Sequence, residues 1–144
     1  MSLNKSVLEI GLEQAILNLK IEDKVKVFTG EEKNSILLKL KEFFVIGEPR
    51  VWWLSLKYTP KCFVFKQEYP YKEIVNFFDE KEDVWFIIED NAQLLYKTKV
   101  SHVVDIISEC SYFEYNIISK DYNKFLCEND HDQFLYIDLT ALNS

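Results

Sequence analysis

Phe113-Glu114-Tyr115-Asn116 and Phe125-Leu126-Cys127-Glu128-Asn129-Asp130-His131-Asp132 frame the part of the chain that decides its fold. The first lies in a run of β-formers, Tyr112 to Ser119. The second opens as a strand, Phe125 to Glu128, and ends in a polar segment before a third run, Gln133 to Leu139. Connections this short between successive strands require antiparallel pairing, because a parallel crossover needs about a dozen residues or more. Side chains alternate along a strand, so Phe125 and Cys127 point one way while Leu126 and Glu128 point the other. A carboxylate beside Leu126 needs a hydrogen-bonding partner. Glu128 is therefore expected to be a structural acceptor for backbone amides or a Lys, with Asn129 to Asp132 forming the turn into the last strand.

Upstream, two periodicities take turns. Leu8, Leu12, Ala15, Ile16 and Leu19 have helical spacing and predict a helix from about Asn4 to Lys20. Ile21 to Phe28 reads as linker or short strand. Thr29-Gly30-Glu31-Glu32 has the form of a capping box and opens a second helix carrying Ile36, Leu37, Leu40, Phe43 and Phe44, which stops near Gly47-Glu48-Pro49. Val51 to Lys57 and Cys62 to Lys66, joined by Tyr58-Thr59-Pro60-Lys61, read as a hairpin. Pro70 suits a helix start, Val84 to Glu89 and Gln93 to Tyr96 are strands around an Asp90-Asn91 turn, and Val100 to Cys110 is a helix. The expected fold is α+β: a single domain over residues 1–144, with a mostly antiparallel sheet of about six or more strands and helices chiefly on one face. Its core should include Trp85, Ile87, Phe113, Ile117 and Leu135.

The 144 residues allow burial of roughly two-thirds of the surface that the unfolded chain exposes. With 48% hydrophobic and 15% aromatic residues, the chain is too apolar for disorder. Three glycines and no Gly-rich motif leave little material for a loop that cradles phosphate. The net charge of −7, with Arg50 the only arginine, argues against nucleic-acid backbones and anionic membranes. Cys62, Cys110 and Cys127 are odd in number and lack a C-x-x-C spacing, which fits reduced thiols in a cytoplasmic protein. No apolar run reaches the roughly 18 residues of a membrane span, and Glu9 and Glu13 interrupt the N-terminal apolar pattern.

Two groups of residues could carry function. Glu114, Glu128, His131 and Asp132 have the side chains for acid–base chemistry or a divalent ion in a small hydrolase or metal-dependent enzyme. Their spacing is poor for zinc, and an acidic segment between strands is ordinarily a solvated turn, so neither a metal nor a cofactor is expected. Glu89 and Asp90 could join Glu114 and Glu128 as paired carboxylates, although a chain this small seldom builds a sugar-binding cleft. His102 reads as a surface histidine. The second group is Trp52, Trp53, Tyr58 and Tyr69. An exposed Trp near tyrosines has the composition of a protein-binding hot spot, and strand alternation would place one of Trp52 and Trp53 in the core.

The segment Glu109-Cys110, Phe113-Glu114-Tyr115, Lys120-Asp121, Cys127-Glu128-Asn129, His131-Asp132 resembles a family of small uncharacterised bacterial proteins. Those proteins carry F-E-Y-Y and a C-E-N-H-H-D-like segment, often with Trp where Phe125 stands here; this chain has Asn116 after Tyr115 and Asp130 in place of the first His. By type it is also similar to bacterial toxin-immunity proteins, which are small, acidic, cytoplasmic and non-catalytic. The expectation is a non-enzymatic protein-binding module with a basic protein partner.

Overall fold

The computed structural model describes residues 5–65, 70–110, 113–129 and 133–142. Its spine is a seven-stranded antiparallel sheet, ordered β1-β4-β3-β5-β6-β7-β2. The strands are β1 (Lys26–Phe28), β2 (Lys61–Val64), β3 (Asp83–Ile88), β4 (Leu94–Lys99), β5 (Tyr115–Ser119), β6 (Lys124–Glu128) and β7 (Gln133–Asp138). β3 pairs with β4, β5 with β6 and β6 with β7, each antiparallel and each pair separated by only a few residues of sequence. The registers set Trp85 opposite Ile118, Ile118 opposite Phe125, and Tyr115 opposite Glu128.

The helices are α1 (Val7–Leu19), α2 (Gly30–Phe44), α3 (Val100–Glu109) and α4 (Leu139–Leu142), with 3₁₀ turns at Trp52–Leu54 and Pro70–Asn76. Period-two alternation gives the sheet two apolar faces, and each has its own core. On one face Leu12 and Ile16 of α1, Val103 and Ile106 of α3, and Ile74 pack against Phe86, Tyr96, Ile117, Leu126 and Phe134. On the other, Leu37, Leu40 and Phe44 of α2 and Trp52 pack against Trp85, Ile87, Ile118, Phe125 and Leu135. The helical cover is thus more even than the expected one-sided packing. All five expected core residues are buried.

Two local expectations are corrected. Val51 to Lys57 is not a strand of a hairpin: Leu54 N–H donates to Val51 O and Ser55 N–H to Trp52 O, closing a 3₁₀ turn that drops Trp52 onto the α2-side core. Strand β2 pairs instead with β7, far along the chain. The Thr29 side chain makes no capping bond, because Gly30 at φ 61° lacks the helical dihedrals that a capping box needs after its N-cap.

Candidate functional site

Antiparallel order sends the ends of β3 and β6 and the starts of β4, β5 and β7 to the same end of the sheet. Four acidic residues come with them: Glu89 and Asp90 after β3, Glu114 before β5, and Glu128 at the end of β6. The Glu89 N–H donates to Glu114 O at 3.0 Å, so these two residues continue the sheet side by side. Both extend the face of Ile87 and Asn116, the α2 side.

The Glu89 carboxylate is half-buried and held by neutral donors. Asn116 Nδ2 donates to its Oε2 at 2.9 Å, and Gln93 Nε2 reaches both oxygens, at 3.0 and 3.3 Å. Burial pushes its pKa up, the bonds from Gln93 and Asn116 pull it down, and the neighbouring Glu114 charge pushes it up again; the net shift is upward. Trp53 Nε1 donates to Glu114 Oε2 at 3.4 Å, a long bond. Among the described residues no Lys, Arg or His forms an ion pair with Glu89 or Glu114. Beside Glu89, Asp90, Asn91 and Gln93 opens a surface cleft of about 460 Å³ that also includes Lys41, Glu48, Arg50 and Trp52. Lys41 is already paired with Glu48 across it.

Glu128 lies on the opposite face, where the Tyr115 hydroxyl donates to its Oε1 at 2.8 Å in a buried setting. It is an acceptor within the sheet, as the alternation implied, and a tyrosine hydroxyl is one of its donors. Glu114 and Glu128 therefore point to opposite faces of the sheet. His131 and Asp132, the remainder of the candidate acid–base set, lie outside the described residues, as does Tyr69. Asn129 anchors the approach to β7: Gln133 N–H donates to its Oδ1 and its own Nδ2 donates to Gln133 Oε1, both at 3.1 Å.

Of the aromatic group, Trp52 is 4% exposed and packs in the core, reaching the surface only where it lines the cleft beside Glu89. Trp53 is half-buried with its indole on Glu114, and Tyr58 is on the surface. Cys127, opposite Asn116, is fully buried; desolvation first, and the Glu114 and Glu89 charges after it, hold the thiol far above its usual range despite a backbone bond to Leu135. It is no nucleophile. His102 Nδ1 is 3.0 Å from Thr98 Oγ1, whose hydroxyl donates to Lys24 O, so the ring braces α3 against β4. Among the described residues no group of three His, Cys, Asp or Glu side chains is placed to hold a metal ion. None of the described helices is long and apolar enough to cross a membrane.

The sequence suggested the carboxylates but missed their neutral holders, Gln93 and Asn116. A signal was present: Asn116 is the one amide in β5, beside the apolar Ile117 and Ile118, and a buried amide needs partners. Residues 6–141 match the model of DUF6756, a family of unknown function. The chain belongs to that family. No curated protein and no solved structure matches the chain. What the DUF6756 fold presents at this end is an acidic, partly desolvated surface with an aromatic beside it.

Proposed function

We propose that the protein is a non-enzymatic binding module of the bacterial toxin-immunity type, occluding a basic protein partner with the acidic end of its sheet. The observation that carries this reading is the Glu89–Glu114 pair. Two carboxylates sit side by side, one of them costly to keep charged, and among the described residues the side chains that bond them are two amides and an indole. A partner's Lys or Arg would supply the missing cation in a place already part-way out of water, where a charge-assisted bond is strongest. Trp53 offers the aromatic surface that often anchors such contacts.

The testing experiment is a pull-down from the native host with the tagged wild-type chain and with Glu114→Lys and Trp53→Ala. Capture of a basic protein, encoded beside this gene and lost with both variants, is the expected result. A capture that ignores Glu114→Lys would end the reading. So would stoichiometric divalent metal in the purified protein together with hydrolytic activity.

A further inference from the structure

Strand β1 ends the sheet, and its outer edge pairs with no strand among the described residues. An exposed edge offers a row of backbone donors and acceptors to any extended chain. Beside it, on the α1 face, runs a groove of about 310 Å³ with Ile16, Leu17, Val25, Val27 and Tyr96 on its walls. Leu17 and Val27 are 55% and 53% exposed. An edge strand ordinarily shields itself with charge or a bulge. Here the charge of β1, Lys26, lies over Phe28 on the other face, and the middle residue is an exposed valine facing an apolar trough.

The rim decides what fits. Glu9, Glu13 and Glu22 surround the groove, with Lys5 the single cation on its lining among the described residues, already bonded to Glu13. Glu9 also lines a second, contiguous hollow of about 230 Å³ that shares Val27, Thr29 and Tyr96 and reaches Asp90 and Asn91. The Ser6 hydroxyl bonds Asp90 and ties the start of α1 to that turn. The trough therefore leads from Glu22, past the edge of β1, to the acidic end described above. A second copy of this chain, net charge −7, would bring acid to acid there. We propose that the groove binds an extended segment of the basic partner as an added strand on β1, with apolar and cationic residues taking turns at every second position so that both kinds point to the α1 face. Its apolar side chains would enter between α1 and Val27, and its cations would meet Glu9 and Glu22. The proposal rests on the basic-partner reading given above.

The probe is a short blocked peptide with valine and lysine taking turns at every second position and threonine between them, followed by fluorescence anisotropy and by amide shifts of 25–28. Controls are the glutamate–valine counterpart and a version N-methylated at alternate amides, which keeps charge and apolar surface but removes strand donors. Only the first should bind. Val27→Lys, Leu17→Lys and a Glu9→Lys/Glu22→Lys double variant, each checked for wild-type circular dichroism, should weaken it by about tenfold or more. Glu114→Lys should leave it within about twofold. Equal binding of the N-methylated peptide overturns strand addition, and so does indifference to all three groove variants or no binding at about millimolar peptide. A wild-type dimer dissociated by Val27→Lys would assign the edge to a second copy and also overturn it. If the pull-down partner is captured but insensitive to Val27→Lys, the groove falls and the basic-partner reading stands. If the peptide binds as described but no basic partner is captured, the reading falls and the groove remains a peptide site.

Discussion

Glu128 and Glu89 are both carboxylates at one end of the sheet, and their surroundings give them opposite tasks. Glu128 accepts from a buried tyrosine hydroxyl inside the sheet. Removing an acceptor from a buried donor costs the donor's desolvation, so Glu128→Ala should lower stability by about 1–3 kcal/mol, and Glu128→Gln, which keeps an oxygen, by clearly less. Urea denaturation of the two variants checks the order. Glu89 is different, because burial raises its pKa in the folded chain. The folded state then holds the proton more tightly than the unfolded one, so stability falls as pH rises from the ordinary value of 4.5 through the raised one. Glu89→Gln removes that loss. It should melt higher than wild type near neutral pH and gain nothing below pH about 4, where both states are protonated. The same variant should bind the partner less well. How far these roles could be read in advance follows from period two: alternation alone put Glu128 beside Leu126, but it could not show that Asn116 and Gln93 would meet at Glu89, since that requires the register of three strands.

At the scale of elements, α2 shows what its apolar stripe is for. Phe44 is fully buried with its ring 5.4 Å from that of Phe125, whereas Leu38 on the same helix is largely exposed. Phe44→Ala should cost about 3–5 kcal/mol through lost contacts and the cavity left behind, and Leu38→Ala no more than about 0.5 kcal/mol. Thermal melts of the pair separate core from surface on one helix. Long periodic elements of this kind were legible: α1, α2, α3 and strands β3 to β7 fall close to where their patterns place them. The misread element is Val51 to Lys57. Its alternation is genuine, but Trp52 gains more by entering the core under α2 than a strand would give it, and the strand that would have paired with it is claimed by β7. Local pattern cannot reveal a partner that distant.

At the scale of the whole molecule, the net charge of −7 works with the placement of the carboxylates. A basic partner would be drawn in over distances comparable to the Debye length, so raising salt from about 0.05 M to about 0.5 M should slow association by roughly tenfold while leaving dissociation little changed. Stopped-flow mixing at the two salt concentrations measures it, and a salt-independent association rate would speak against steering. Fold class followed from composition and short strand connections; the sharing of helices between both faces did not, because an amphipathic helix carries no mark of which side it will cover.

The strand order has a consequence for how the chain comes into being. The five central strands all lie between Asp83 and Asp138, while the two flanking strands come from the first half of the chain, with Lys26 opposite Lys97 and Lys61 opposite Tyr136. During synthesis α1 and α2 emerge before the central strands they pack on. Each is apolar on one side and must wait for a surface that the ribosome makes later. Folding is therefore set to begin after translation of the later half, and the closing of two long loops at the margins becomes its slow step.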